Sequence, residues 1–408
     1  MTDAEKRKAA IEKYTRGKSP AEIYTSLGRT KQWFYKWLKR YLESGVDGLK
    51  ERSRRPKRSP RQIPSDIEKR IAGVRRHLAG RSSKETQWAP VGADSIGWHL
   101  EYLYPGEQHP SRATINRVIQ RNGLLTERKK TAKGSNIPYP APLADHPNAV
   151  HQMDTVGPRF ISGSKGVEQF YSIHLSDCYS RVVAMRQYED AKGSSLIEFL
   201  LEAVWSSVGI PKVLQVDNVL SVKGSNRHPR SLGAVISLCL LFGVEVLFIP
   251  TREPQRNGIV ESFNNQFDKA FFRSTTFQNL EHLQCKSAEF ERYYCEKRPH
   301  TGLLKKKHGS RIPKEAHSMH QLRMLPAGFK LDEYMVKGKL KIPLHPGKVS
   351  FIRWVNKTCS IPLFSEQFKV DESLKYNYVT ATIFTSEHVL RFTHNGQVVN
   401  EIPYKLNP

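Results

Sequence analysis

Residues 244–264, VEVLFIPTREPQRNGIVESFN, combine an apolar run, a polar turn and a second apolar pattern. The run at 244–249 is rich in branched and aromatic residues, which predicts a buried β-strand. Pro254 and Gly258 mark a loop, and the spacing of apolar residues after Gly258 predicts a helix over 258–272. A buried strand followed closely by a helix is typical of an α/β domain.

The α/β pattern continues on the N-terminal side of this stretch. Short alternating or apolar segments predict three successive strands, at 150–154, 170–176 and 181–186. A helix at 194–208, a strand at 212–216 and a buried helix at 232–242 follow them. This order predicts a mixed α/β domain over 149–317.

Three acidic residues occupy special places in this domain. Asp154 lies in or at the end of the first strand, Asp217 follows the fourth strand, and Glu261 lies in the first turn of the last predicted helix. Taken singly, each acid also has a structural interpretation. Asp154 could be a surface acid, Asp217 could cap the next turn, and Glu261 could be an acid favoured at a helix start. Brought together, three carboxylates need a cation, and hard oxygen ligands suit Mg²⁺ or Mn²⁺. Two such ions about 3.5–4 Å apart support in-line phosphoryl displacement.

Four sequence blocks carry a resemblance to a known family. They are HQMDT at 151–155, QVDN at 215–218, PQRNGIVESFN at 254–264, and RPHTGL at 298–303 followed by Pro313. These blocks resemble the integrase catalytic core of bacterial insertion-sequence transposases and retroviral integrases, the DDE enzymes with an RNase H-like fold. The resemblance covers about residues 145–317.

The resemblance implies roles for individual residues. Asp154, Asp217 and Glu261 would form the catalytic triad and bind two Mg²⁺ or Mn²⁺ ions, with no covalent protein–DNA intermediate. The active-site loop that holds the DNA end would be lined by Asn218, Gln255, Arg256 and Asn257. Asp177 also resembles a recurrent position of this core, and we interpret it, like His151, as structural.

Two features depart from the family pattern. Val219 stands where glycine commonly follows Asp-Asn, and 43 residues separate Asp217 from Glu261, more than in retroviral integrases. The polar stretch 223–230, KGSNRHPR, accounts for the longer interval and is predicted to be a loop that could touch DNA.

Other charged residues near the last helix have open interpretations. Asp268 shares a helix face with Glu261, either as a fourth ligand or as a solvated acid. Lys269 and Arg273 could contact phosphates, and so could the basic run 305–308, which is otherwise a solubilising surface run.

The first 49 residues predict three short helices, the second and third separated by Gly28. The third carries an apolar stripe and a polar, basic face, which is the plan of a helix-turn-helix DNA-binding domain; an ordinary three-helix bundle remains the alternative. The predicted DNA contacts on this face are Lys31, Gln32, Lys36, Lys39 and Arg40.

A basic arm at 50–62 leads to a second helix-turn-helix (winged-helix-like) candidate at 63–125. Its last helix offers side chains that reach phosphates and base edges, namely Arg112, Thr114, Asn116, Arg117, Gln120 and Arg121. Further DNA contacts are predicted in the arm, at Arg52, Arg54, Arg55, Lys57 and Arg58, and in a Pro-rich linker at 126–148, at Arg128, Lys129 and Lys130.

The C-terminal segment, 318–408, contains five or six short alternating stretches, with Asn395-Gly396 as a hairpin signal. It predicts a small all-β domain, a barrel or sandwich, and the resembled family often has a small SH3-like barrel here. A simple packing domain is the alternative.

The composition supports a polyanionic partner. The 408 residues carry a formal charge of +26, which favours nucleic acid first and an anionic membrane surface second. The sequence has no apolar run long enough for a membrane span and no apolar signal region, so we expect a protein of the cytoplasm. The resemblance to insertion-sequence transposases implies a bacterial protein that is associated with the nucleoid.

The sequence therefore predicts a multidomain DNA transposase. It would bind terminal inverted repeats of a mobile element, cleave 3′ ends and transfer strands into target DNA, as a homodimer or larger assembly on double-stranded DNA. The alternatives are a DNA-binding regulator with a catalytically silent core and a non-transposing nuclease.

Overall fold

The protein is described here by a computed structural model that covers residues 1–51, 63–125, 137–163, 166–224 and 230–407. The predicted DNA contacts in the basic arm and at 128–130, and most of the 223–230 loop, lie outside these ranges. The chain forms two compact units, Met1–Pro64 and Ser65–Pro408. The second unit thus combines three of the domains that the sequence predicts.

The first unit is a group of three helices, as the sequence predicts. They are α1 (Asp3–Thr15), α2 (Pro20–Ser26) and α3 (Lys31–Ser44). Each begins at a capping side chain that accepts a backbone N–H of its first turn, from Thr2, Ser19 and Thr30. Phe34 and Trp37 of α3 pack on Ile23 of α2, so the apolar stripe of α3 is its buried face.

The second unit begins with another three helices. They are α4 (Ser65–Gly80), α5 (Ala93–Leu103) and α6 (Arg112–Arg121). The predicted apolar positions Ile71, Leu78, Ile96 and Leu100 are buried, whereas Leu103 is 52% exposed because the helix ends there.

The central part alternates strands and helices. Its strands are β1 (Val150–Gly163), β2 (Gly166–Asp177), β3 (Val183–Tyr188), β4 (Val213–Val216) and β5 (Glu245–Phe248). Its helices are α7 (Gly193–Glu198), α8 (Leu220–Lys223), α9 (Ala234–Leu241), α10 (Gly258–Gln266), α11 (Leu280–Glu296), α12 (Lys305–His308) and α13 (Pro313–Ser318). Helix α11 is a 17-residue element that our sequence reading missed.

Two of these helices continue as π-helical turns. Phe199–Trp205 extends α7, and Phe267–Phe271 extends α10, so the predicted helices 194–208 and 258–272 are each continuous in the chain but change their winding. The side chains of Phe199, Leu200 and Phe267 are fully buried in one large core.

The C-terminal region is rich in strands, as predicted. They are β6 (Met335–Val336), β7 (Lys339–Leu340), β8 (Lys348–Trp354), β9 (Ser360–Leu363), β10 (Glu366–Lys369), β11 (Tyr378–Phe384), β12 (Val389–His394) and β13 (Gln397–Pro403). Four of them extend the central sheet, because β8 pairs in parallel with β5. The result is a nine-stranded sheet with the order β13-β12-β11-β8-β5-β4-β1-β2-β3.

The sheet explains the burial of β8. Val349, Phe351 and Ile352 are all fully buried, although they alternate between the two faces of the strand. A strand that is flanked on both sides and covered on both faces has no solvated side. Within the described ranges, no helix is long and apolar enough to cross a membrane.

Candidate active site

The strand register brings two of the three predicted acids to one end of the sheet. β1 and β4 pair in parallel, with Gln152 opposite Gln215. Asp154 lies two residues beyond Gln152, and Asp217 lies two residues beyond Gln215, just after β4 ends. Because the strands run in the same direction, both acids lie at the same edge.

Two side chains attach the third acid to this edge. Gln152 Oε1 accepts hydrogen bonds from the backbone N–H of Ile259 (2.9 Å) and Val260 (3.2 Å), in the first turn of α10. Asn257 Nδ2 donates to the carbonyl oxygen of Met153 (3.0 Å). The start of α10, which carries Glu261, is therefore tied to the residues that precede Asp154.

A chain of hydrogen bonds supports the Asp154 carboxylate. Asn264 Nδ2 donates to Asp154 Oδ2 (2.7 Å), and the backbone N–H of Thr155 donates to Oδ1 (2.8 Å). Since the Asn264 amino group is used in this way, its carbonyl oxygen accepts from His174 Nδ1 (2.7 Å). His174 Nε2 then accepts from the hydroxyl of Ser172 (2.6 Å), which fixes the tautomer of a fully buried imidazole.

The three acids influence one another electrostatically. Burial raises the pKa of Asp154 to about 6; the hydrogen bonds from Thr155 and Asn264 oppose this rise, and the charges of Asp217 and Glu261 add to it. Burial also raises the pKa of Glu261, with a further contribution from Asp217. The charge of Asp217 therefore acts on both of the other acids, and a cation near the three carboxylates would relieve their repulsion.

The donor chemistry fits Mg²⁺ or Mn²⁺, but the side chains are not gathered around one point. In the described part of the chain, no group of three or more His, Cys, Asp or Glu side chains is placed to hold a metal ion. Asp217 Oδ1 instead accepts from the N–H of Asn218 (2.6 Å), much as Asp154 Oδ1 does from Thr155. The two aspartates thus lie at the same end of the sheet, but each accepts a backbone hydrogen bond, and the described side chains do not form a metal-binding group.

The loop after Asp217 is held by an arginine of the C-terminal region. Arg353 of β8 donates through Nη2 to Asn218 Oδ1 (2.7 Å) and through Nη1 to the carbonyl oxygen of Ile249 (3.2 Å). Asn218 Nδ2 also donates to that carbonyl (2.6 Å), so both ends of the Asn218 amide have partners within the protein; its predicted DNA contact stays a prediction.

Arg353 was missed by the sequence reading. Its side chain is buried, and burial lowers its pKa to about 10, while the charge of Asp217 raises it. The available signal was a single arginine inside the apolar run 349–355, VSFIRWV, since an arginine among buried strand residues needs partners.

Arg256 and Asn257, also predicted to hold DNA, have internal partners. Arg256 donates to Glu253 Oε2 (2.9 Å) and to the hydroxyl of Tyr378 (2.9 Å), and its guanidinium lies 4.0 Å from the ring centre of Tyr139. Asn257 is 3% exposed and accepts from Gln215 Nε2 (3.3 Å). Asn257 is buried and Arg256 is half-buried, so both side chains help to set the shape of the loop. The neighbouring Gln255 is exposed.

Asp268 is neither a fourth ligand nor a solvated acid. It is 9% exposed and forms ion pairs with Arg159 (2.5 Å) and Arg273 (2.8 Å). Asp268 lies in the π-helical turn that extends α10, and the two arginines replace solvent around its carboxylate. Arg273 is therefore paired with Asp268, whereas Lys269 is exposed.

Asp177 and His151 lie side by side in the interior. Asp177 accepts from the backbone N–H of Asn148 (2.8 Å) and of Ser180 (2.6 Å), and from the Ser180 hydroxyl (2.6 Å). Burial lowers the pKa of His151 to about 4, and its Nε2 lies 2.8 Å from Asn148 Oδ1. These contacts fasten the start of β1 to the end of β2.

The predicted DNA-contact faces of the helices are turned to solvent. On α3, Lys31, Gln32, Lys36 and Lys39 are exposed, and Arg40 lies over the ring of Trp37 (4.8 Å). On α6, Asn116, Arg117 and Gln120 are exposed, as are two arginines in surface ion pairs, Arg112 with Asp94 (3.3 Å) and Arg121 with Glu68 (3.2 Å). Thr114 is half-buried and interacts with the Ser111 hydroxyl (3.1 Å). The lysines of α12 are exposed, while His308 is buried.

The chain matches known families in three segments. Residues 242–306 match the integrase core domain, and residues 1–50 and 33–119 each match a homeodomain-like domain. The integrase match contains β5, α10 and Glu261, while Asp154 and Asp217 lie outside it. These matches confirm the predicted integrase-like core and helix-turn-helix regions, and together they fit the layout of a DDE transposase.

Solved structures with a similar arrangement come from retroviral integrases. The HTLV-2 integrase catalytic core domain in complex with magnesium (dimeric form) is 14% identical, over 42% of this chain and 99% of that one, with a TM-score of 0.29. A simian T-cell lymphotropic virus intasome in complex with PP2A regulatory subunit B56 gamma is 14% identical, over 77% of this chain and 93% of that one, with a TM-score of 0.34.

Proposed function

We propose that the protein is a DNA transposase whose integrase-like core cuts and joins DNA strands. One observation carries this proposal: Asp154, Asp217 and Glu261 lie on elements tied to the same end of the sheet, where burial, together with the charges of Asp217 and Glu261, raises the pKa of Asp154. The two homeodomain-like matches and the charge of +26 support DNA as the substrate.

Asp154, Asp217 and Glu261 would hold two divalent cations, Mg²⁺ or Mn²⁺. When bound, such ions activate a water or a DNA 3′-hydroxyl and stabilise the leaving oxygen. The protein's part is to hold the carboxylates ready: Asn264 orients Asp154, Asn218 and Arg353 fix the loop of Asp217, and Gln152 fixes the helix of Glu261. Adjusting side-chain rotamers would complete the site.

In this proposal the helix-turn-helix regions bind the terminal inverted repeats of a mobile element. The core would free a 3′-hydroxyl at each end and direct it to attack target DNA. Because two ends are cut together, at least two active sites are needed, so the working form is a homodimer or larger assembly on DNA.

A DNA-binding regulator with a catalytically silent core is the second candidate. It is favoured by the absence of a metal-holding group of side chains in the described ranges. The two candidates differ in whether DNA is cut, so an activity measurement separates them.

The deciding experiment uses the full chain, Mn²⁺ or Mg²⁺, and labelled duplexes taken from both sides of its gene. Wild type is expected to produce 3′ nicks and joined products. Asp217→Asn should lose at least 100-fold in both while binding the duplexes unchanged, because one anionic ligand is replaced by a neutral amide.

The matched control is Asp332→Asn, the same change at an exposed position in the C-terminal region, which should keep full activity. Binding without any nicking by wild type would favour the regulator. Nicks without joined products would favour a simple nuclease.

A further inference from the structure

A cavity of about 730 Å³ lies between the second group of helices and the core. One wall belongs to the helices and includes the first turn of α5 and the start of α6. The other wall belongs to the core and includes Ser262 and Gln266 of α10, and the segment 298–301 after α11. Ser262 directly follows Glu261, so one wall of the cavity is formed by the helix that carries this candidate catalytic residue.

The charges around this cavity favour an anion. Arg75, Arg112 and Arg298 line it, against one acid, Asp94, which already pairs with Arg112 (3.3 Å). Arg298 has no acidic partner among the described residues; it lies over the ring of Tyr294 (4.6 Å), and its Nη1 is buried without a hydrogen bond. A guanidinium that is partly withdrawn from water without a counter-charge is costly, and a bound anion would offset that cost.

The neighbouring imidazole of His300 is affected by the same positive charge. Burial lowers the pKa of His300 to about 3, and the charges of Arg298 and Arg181 lower it further. Arg181 Nε is also buried without a partner. Arg298 gives this wall of the cavity a positive charge, and the described residues that line this wall (Ser262, Gln266, Tyr294 and 298–301) include no carboxylate.

The opposite wall presents donors. Helix α5 begins at Gly92, which makes no side-chain cap, so the N–H groups of its first turn are not satisfied by a capping side chain. The hydroxyl of Ser95, in a residue that is 3% exposed, lines the cavity and has no hydrogen-bond partner. An uncapped helix N-terminus with an unpartnered hydroxyl and an arginine opposite is a suitable phosphate site.

We propose that this cavity binds a backbone phosphate of DNA on the path between α6 and Glu261. The proposal rests on the proposed function, because it takes DNA to be the anion, and it adds which surface guides the strand. Arg112 and Asn116 lie on α6, which the homeodomain-like match includes, and Gln266 lies on the helix of Glu261. A strand that leaves the groove-binding helix would cross this cavity before it reaches the carboxylates.

The test places a negative charge in the cavity without changing its shape. Gln266→Glu is compared with Gln278→Glu, the same substitution at an exposed position by the tip of the β1–β2 hairpin. The probe is a fluorescent 30-base-pair duplex of mixed sequence, and its affinity for the full chain is measured over a range of salt concentrations. Gln266→Glu should bind about tenfold more weakly and reduce the salt slope by about 0.9, the value for one phosphate contact.

Arg298→Gln should give a similar loss of slope, and thermal melting shows whether either variant is folded. Equal slopes for Gln266→Glu and Gln278→Glu would overturn the site, even if wild type nicks DNA in an Asp217-dependent way. If wild type never nicks but Gln266→Glu loses slope, the proposed function fails and the phosphate site stands. If inorganic phosphate stabilises wild type but not Gln266→Glu, and the DNA slopes are equal, the occupant is free phosphate and the DNA proposal is wrong.

Discussion

Arg353 connects the C-terminal region to a candidate catalytic residue. Its guanidinium holds Asn218, the residue after Asp217, and lies in a buried site where its charge acts on Asp217. Asn218 in turn donates a hydrogen bond to the carbonyl oxygen of Ile249, the residue that follows β5. The position of Asp217 therefore depends on a side chain 136 residues away, so we interpret Arg353 as a positioning residue.

Replacing Arg353 with methionine keeps much of the volume but removes the cation. We expect nicking to fall at least tenfold, because Asn218, and with it the loop of Asp217, loses the guanidinium that holds it. The rate of nicking in Mn²⁺ measures this, and thermal melting shows whether the variant is folded.

Arg391→Met is the matched control, since Arg391 forms its ion pairs with Glu401 (2.5 Å) on the neighbouring strand and with Glu387 (3.1 Å), not with the three acids. Nicking at the wild-type rate in Arg353→Met would contradict the positioning role. Arg353→Lys should recover part of the activity.

The loop between α4 and α5 attaches the second group of helices to the core. Trp88 of this loop is 7% exposed and packs edge-on against Phe271, Phe290 and Tyr293, with ring centres 5.4–6.1 Å apart. These partners lie at the end of α10 and on α11. The proposed phosphate cavity exists only where this attachment holds the two parts together.

Trp88→Ala should lower the free energy of unfolding by about 3–5 kcal/mol, the cost of truncating a buried tryptophan. Urea denaturation followed by circular dichroism measures the change. Trp98→Ala is the control, because Trp98 stacks on Tyr102 at the surface of α5 and should cost clearly less. Equal losses for the two variants would contradict the role of Trp88 as the attachment.

Across the whole molecule, several histidines are buried in their neutral form. Burial lowers the pKa of His151 and His174 to about 4 and that of His300 to about 3, all from an ordinary value of 6.5. As the pH falls below 6.5, these histidines bind protons in the unfolded chain but stay neutral in the folded chain. The stabilising contribution of each histidine is thus complete above pH 6.5 and is lost as the pH falls toward its folded pKa.

His174→Gln should therefore make stability less dependent on pH. Between pH 6 and pH 5, its free energy of unfolding should fall about 1.4 kcal/mol less per pH unit than that of wild type, the value for one proton. Urea unfolding at both pH values measures the two slopes. His320→Gln, at an exposed histidine, should keep the wild-type slope; a matching slope in His174→Gln would contradict the assignment.

The sequence was most informative where structure is set locally. The three helices predicted in the first 49 residues are confirmed, and two of them begin at the capping residues Ser19 and Thr30, since a cap and its first turn are adjacent in the chain. The pairing of β5 with β8 joins residues about 100 positions apart, and alternation in a strand does not reveal its neighbour. For the same reason, the sequence alone does not reveal the contacts of Arg353 and Trp88, whose partners are distant in the chain. The assignment of Asp154, Asp217 and Glu261 as catalytic residues stays a prediction.

The continuous sheet has a consequence for any shortened form of the protein. A fragment that ends before β8 would leave β5 with an open edge of unpaired backbone donors and acceptors, in a strand whose Val246 and Phe248 are wholly buried in the intact chain. Such an edge readily recruits strands from other molecules. The integrase-like core is thus expected to aggregate when it is produced without its C-terminal strands.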